Sequence, residues 1–239
     1  MPPGAELRKK PGKSAGIGTE RESSLHRALK IQYTGIAGAV EQALEGYVCD
    51  GIRENGELIE IQTGSFGPLK HKAPVLAAAA PLRIVHPIVA ARYIELFDEA
   101  GSLLRRRKSP RKGTPWDLFN ALIYAPLLPR TANLCIELAV VETAERRIQD
   151  GKGSWRRKGA SIEDKILLAV RETIPLSGAG DYIRFIPFKK NEPFTVQTLA
   201  EKAGITAGLA RKTLYVLFRL ELVKRTGKQG NAWVYKRGK

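Results

Sequence analysis

The chain has 239 residues, 43% of them apolar, and a mean hydropathy of -0.23, which is material for one large domain or two small ones with a full core. No run approaches the ~18 apolar residues of a membrane span, and the two cysteines and three histidines are too scattered for a zinc site. A formal charge of +16 and a pI near 10.0 point instead to an anionic partner.

Met1 to Arg21 is rich in Pro, Gly and Lys and has no apolar h-region, so it reads as a disordered basic arm rather than a secretory signal. Cys49 and Cys135 read as small hydrophobes, which fits a reducing, cytoplasmic setting. The spacing predicts a first helix from Glu22 to about Thr34, with Glu22, His26 and Lys30 on one stripe, ended by Gly35-Ile36-Ala37-Gly38.

Three short strands follow between Val40 and Thr63. In the third, alternation puts Leu58, Glu60 and Gln62 on one face and Ile59 and Ile61 on the other. In the second, Val48, Asp50 and Ile52 share a face. Glu54-Asn55-Gly56 between them suits a three-residue hairpin with glycine in the left-handed position. That register pairs Arg53 with Glu57, Ile52 with Leu58 and Asp50 with Glu60. Opposed carboxylates repel unless a cation lies between them. A two-residue Asn55-Gly56 turn would pair Asp50 with Ile61 instead and remove the clue.

A helix from Leu69 to Ala80 carries Lys70 and Lys72. Strand-like runs Leu82–Val89, with His86 read as a core residue, and Arg92–Phe97 come next, closed by a turn at Asp98-Glu99-Ala100-Gly101. A basic loop follows with Arg105, Arg106, Arg107, Lys108, Arg111 and Lys112. Trp116 to Tyr124 reads as helix, Leu134 to Val141 as strand, and Glu142 to Gln149 as helix. The loop at Asp150 to Trp155 reads as a domain border, with Arg156, Arg157 and Lys158 behind it. Ser161-Ile162-Glu163-Asp164 then caps a helix running to Thr173. Basic clusters set among Gly, Pro and Ser are a phosphate-backbone signature, and Trp116 and Trp155 sit beside cations where aromatics stack on opened bases.

Phe194 to Gly204 reads as a short capped helix, Ile205 to Gly208 as a turn, and Leu209 to Leu220 as an amphipathic helix. Leu222 to Tyr235 alternates around Gly227 to Gly230 as a two-stranded ribbon. This order resembles the winged helix-turn-helix family over about residues 161–239. The resemblance implies that Thr206, Ala207, Gly208, Arg211 and Lys212 approach a DNA major groove. It also implies that Lys224, Arg225, Lys228 and Asn231 contact backbone or minor groove.

Helix, three strands, helix, strand, with Asp50 on the second strand and Glu60-Ile61-Gln62 on the third, resembles the PD-(D/E)XK nuclease superfamily. The fold this implies is mixed α+β, with a restriction-endonuclease-like αβββαβ core followed by a small winged-helix domain. The implied borders are a 1–21 arm, a 22–155 nuclease-like domain with a basic insertion, and a 156–239 winged helix. The resemblance implies Mg²⁺ or Mn²⁺ held by Asp50, Glu60 and the Ile61 carbonyl, with Gln62 in the family's lysine position orienting the water. Lys70 or Lys72 would then supply the missing positive charge. Glu22, with His26 one turn below it, or Glu41 would be the further acidic residue of the site. Two functions follow: a metal-dependent DNA nuclease, or a non-catalytic DNA-binding protein or regulator on a degenerate nuclease-like fold. DNA is the expected partner, no membrane is, and a homodimer is compatible with either function.

Overall fold

The computed structural model describes residues 23–38 and 41–238. The basic arm and Glu22 lie outside them. The protein is mixed α+β, built on a mixed six-stranded sheet with helices on both faces.

Helix α1 (Ser24–Gly38) carries Leu25, Leu29 and Tyr33 at every fourth position, and this stripe packs on Ile59, Ile61, Val85, Ala139 and Val141 of the sheet. It runs past the glycines expected to end it, kinking at Gly35, whose φ of 71° lies in the left-handed region. A close backbone approach follows. A Cβ on Gly51 would meet the Gly38 carbonyl oxygen at 2.4 Å and Thr34 at 2.8 Å. Gly51→Ala is therefore expected to cost about 1–3 kcal/mol, read as a lowered thermal midpoint, because backbone must shift to admit the methyl group.

Strands β1 (Gln42–Leu44) and β2 (Tyr47–Cys49) form their own hairpin. Strand β3 (Gly51–Ile52) pairs antiparallel with β4 (Leu58–Ile61), with Ile52 opposite Leu58 and Gly51 opposite Ile59. The three-residue register therefore holds, and Arg53 pairs with Glu57 through a backbone bond of 2.9 Å and an ion pair of 2.7 Å. Arg83 bridges Glu57 to Glu137, which also accepts from the Tyr33 hydroxyl, so one buried charge network ties α1 to the sheet.

Helix α2 (Leu69–Ala79) crosses over to β5 (Leu82–Phe97), which lies parallel to β4. The two runs read in this region are one 16-residue strand with a bulge between Val89 and Ala91. Three further expectations fail here. Arg105 to Lys108, read as loop, lies in β6 (Leu103–Lys108), an exposed strand antiparallel to β5. Cross-strand partners hold it there: Arg106 pairs with Glu95 at 3.2 Å, and Arg106 and Lys108 lie over the Tyr93 ring. Glu142 to Ile148, read as helix, continues the strand β7 (Leu134–Ile148) parallel to β5. Ser161 to Thr173, read as a capped helix, is in β8 (Ser161–Leu176), antiparallel to β7. Glu, Ala, Lys, Arg and Leu favour helix in isolation. A long strand with unpaired N–H and C=O groups along its edge overrides that preference, since pairing satisfies one bond per residue.

The border expected at 155/156 thus falls between two strands of one sheet. The short helix α3 (Leu118–Leu122) precedes β7, and the second unit starts after Leu176. It holds α4 (Val196–Ala203), capped by Thr195 and ended by Gly204 at φ 64°, and α5 (Ala207–Arg219), capped by Thr206. The ribbon of β9 (Val223–Gln229) and β10 (Ala232–Arg237) follows, and Phe194 adds a backbone bridge to Tyr235. The two units share one core. Trp116 packs its ring edge on Phe185, Arg130 bonds the Leu220 carbonyl, and the apolar cluster runs from Leu58 to Tyr235 without a break. Among the described residues, no helix is long and apolar enough to cross a membrane.

Candidate functional site

At the start of β3 the Asp50 carboxylate turns inward. Its Oδ2 accepts from the Ile61 N–H at 2.7 Å and lies 3.3 Å from His26 Nε2. His26 Nε2 is also 3.0 Å from the Ile61 carbonyl, so one imidazole edge touches both the acid and the carbonyl expected to hold metal. Glu60, on the neighbouring strand, is buried, and its Oε1 accepts from Lys72 Nζ at 2.6 Å. Its other oxygen, Oε2, is buried with no hydrogen-bond partner among the described residues.

The two acids are polarised in opposite senses. Burial pushes Asp50 up, but bonds from His26 and the Ile61 N–H, with the charges of His26 and Lys30, outweigh it and hold the carboxyl below its usual range. Burial, then the charge of Asp50, push Glu60 up to about 7 despite Lys72. Nearby opposed acids with divergent acidities mark sites that work with charge.

Glu60 keeps its proton in the folded chain up to about 7, whereas an unfolded glutamate loses it near 4.5. Its contribution is complete below 4.5 and is lost as pH rises through 7, on the order of 3 kcal/mol. Asp50, held below 3.8, titrates beneath this window. Melting temperature is expected to fall from about pH 5 to pH 8 in EDTA, the decline flattening in Glu60→Gln. Mn²⁺ is expected to raise it at pH 8 and not at pH 5.

The structure brings together Asp50, Glu60, Ile61, His26 and Lys72, and adds Lys30, which the sequence placed on the His26 stripe without a role. Lys30 is buried, and its charge reaches Asp50. Other candidates fall away. Lys70 is exposed on α2, two residues from Lys72, the helix position that faces Glu60. Glu41 is exposed, with no tie to either acid among the described contacts. Gln62 turns its amide into its own loop, Nε2 donating to the Ser65 carbonyl at 2.6 Å, and its carbonyl accepts from His86 Nδ1. His86 is buried against Phe66, as a core histidine would be.

Beyond the end of β4 lies a cleft of about 300 Å³ lined by Ser65, His86, Arg92 and Arg111. A second cleft, of about 450 Å³, shares Arg111, Asp117 and Asn120 with it and reaches Lys112, Thr206 and Lys212 at the start of α5. Lys212 does not project into solvent as expected, because its Nζ donates to Asn120 Oδ1 at 2.7 Å and helps dock α5 on the sheet unit. Arg211 is exposed beside it. At the far end of the sheet, Arg105 and Arg107 of β6 converge with Arg147, Arg156, Arg157 and Lys158 around a third cleft of about 180 Å³. Lys224, Arg225, Lys228 and Asn231 are exposed on the ribbon. Trp116 is a packing residue, and Trp155 is 82% exposed beneath Arg156.

The model of a protein family described as "Domain of unknown function (DUF8091)" matches residues 23–177, and the chain belongs to this family. The match runs from α1 to the end of β8, so it covers the whole sheet unit and stops where the helical unit begins. An uncharacterized protein of Treponema pallidum (strain Nichols) is 28% identical over 221 residues, covering 92% of this chain and 87% of that one. The similarity therefore spans the α4–β10 unit as well as the sheet. No solved structure matches.

Proposed function

We propose that this protein is a metal-dependent DNA nuclease whose sheet unit is a restriction-endonuclease-like core and whose α4–β10 unit is a winged helix. The single observation that carries the reading is Glu60: a buried carboxylate with one oxygen on Lys72, the other without a partner, and a second acid close enough to raise its proton affinity. A divalent cation answers all three. Among the described residues no three His, Cys, Asp or Glu cluster as metal ligands, so the set is two carboxylates and a carbonyl. That sparse, all-oxygen set fits Mg²⁺ or Mn²⁺, which keep several waters and take phosphate oxygens. The Ile61 carbonyl has two lone pairs, and the bond from His26 uses one.

The bound ion would supply positive charge to the scissile phosphate and acidify the attacking water. Asp50 and Glu60 would hold it, each fixed by backbone or lysine. Lys72 takes the part of the family's strand lysine from α2, since Gln62 is turned away. His26 orients Asp50 through its ring nitrogen, and Lys30 adds charge from the same helix face. The clefts through Arg92, Arg111 and Lys112 begin past the end of β4 and reach α5, a path suited to a DNA backbone.

Incubating the protein with plasmid DNA and Mg²⁺ or Mn²⁺, beside Asp50→Ala and Glu60→Ala, tests the catalytic part. The DNA part is tested by salt dependence. Removing Arg105 and Arg107 together is expected to reduce the slope of log K against log salt by roughly 2, in proportion to the phosphates released. One observation favours a second reading, a DNA-binding regulator without catalysis: His26 and Lys72 already give both acids a nitrogen partner. That reading expects bound DNA that stays intact in Mg²⁺.

A further inference from the structure

Between α5 and the β9–β10 ribbon lies a cleft of about 500 Å³ that the metal site does not use. Tyr215 and Phe218 of α5 and Trp233 of β10 line it, with Arg211, Arg225 and Asn231. The neighbours of these rings on the same elements, Leu214, Leu217 and Tyr235, are buried, whereas Tyr215, Phe218 and Trp233 remain 43%, 38% and 41% exposed. Three large rings thus converge on one surface without being needed for the core.

Their charge environment is one-sided. The Arg225 guanidinium lies 4.8 Å from the Phe218 ring and 4.7 Å from the Trp233 ring, and Lys228 Nζ lies 4.9 Å from Trp233. Among the described residues, no acidic side chain lines the cleft. The ligand it complements has a flat π face and a negative charge attached to it. Duplex DNA offers the charge without the face, since its bases are stacked on one another and show only their edges in the grooves. An acidic peptide likewise offers charge and no flat face. An unpaired nucleotide offers both, its base on the rings or the guanidinium plane and its phosphates on the arginines.

We propose that this cleft binds an unpaired nucleotide of single-stranded DNA, the base stacking on Trp233 and Tyr215 and the phosphates pairing with Arg211 and Arg225. The proposal rests on reading the α4–β10 unit as DNA-binding and is independent of the metal site. Asn231 is placed to hydrogen-bond a base edge, and the substrate it implies has a frayed end, flap or gap beside a duplex.

The test is fluorescence anisotropy of the full chain in EDTA, where no cutting occurs, with labelled oligo(dT) and a blunt duplex of equal length. Trp233→Ala is expected to weaken oligo(dT) binding about tenfold while duplex binding holds. Trp233→Phe is expected to restore most of the loss, and Tyr215→Ala to repeat it in part. Should Trp233→Ala lower the thermal midpoint, Tyr215→Ala, on an exposed helix position, carries the test. Wild-type oligo(dT) affinity in both alanine variants overturns the proposal. So does an equal loss for single strand and duplex, or displacement of oligo(dT) by poly-glutamate at matched charge. Asp50→Ala separates the two sites: it is expected to bind oligo(dT) normally, whether or not the wild type cuts DNA.

Discussion

Glu60→Gln and Asp50→Asn are each expected to remove Mg²⁺-dependent cleavage of DNA, with a loss of at least ~10³-fold in rate. The size follows from charge stabilisation by a metal, several kcal/mol, at about 1.4 kcal/mol for each tenfold. Both substitutions keep the shape of the side chain and remove its charge, so packing around the buried Glu60 survives, while the hold on a cation and the charge pairing with Lys72 or His26 are lost. DNA affinity measured in EDTA is expected to stay at the wild-type value, because neither acid faces the exposed basic surfaces. Undiminished cutting by both variants would end the nuclease assignment. Parallel loss of cutting and of Mn²⁺-dependent thermal stabilisation would tie the two carboxylates to one ion.

Lys72→Met has the second large effect, and it acts on stability as well as activity. Lys72 Nζ sits 2.6 Å from Glu60 Oε1, with side chains 18% and 9% exposed. Removing one partner of such a pair strands the other and costs about 3–5 kcal/mol when the remaining group stays charged. Glu60 escapes part of this by keeping its proton, which it does more readily at low pH. The loss of thermal stability is therefore expected to be larger at pH 8 than at pH 6. Cleavage is expected to fall at both, and Mg²⁺ at high concentration is not expected to restore it, since Lys72 bonds Oε1 whereas a cation would be held by the unpartnered Oε2. Lys70→Met, two residues away and exposed, is the control and is expected to change neither quantity. Equal losses in the two variants would show that Lys72 acts through general charge alone.

The hairpin register was legible because its cause is local. Asn55-Gly56 after Glu54 fixes the loop, and the alternation of Leu58 and Glu60 against Ile59 and Ile61 fixes the faces. The cap and the glycine stop of α4 were legible for the same reason, since Thr195 and Gly204 act on backbone groups within a few residues, whereas α5 starts at Ala207 behind Thr206, two residues before the helix read from Leu209. The lysine beside Glu60 was narrowed to two neighbours, and helix phase on α2 chose between them. Gln62 was misjudged because strand alternation sets a side chain's face only while the strand lasts. β4 ends at Ile61, and the loop to α2 takes the next residue out of register.

The sequence by itself determined the charge, the two acids facing each other across a turn, and the helices and ribbon of the last fifty or so residues, all set by contacts between near neighbours. Only the tertiary structure decided that β6, the second half of β7 and β8 are strands, because pairing along β5 and β7 holds extended the residues that local preference leaves in loop or helix. It likewise decided that His26 meets Asp50 within reach of the charge of Lys30, and that Lys212 bonds Asn120 rather than standing free. Those outcomes depend on how α1 and α5 dock, and docking is governed by a shared core that no local pattern encodes.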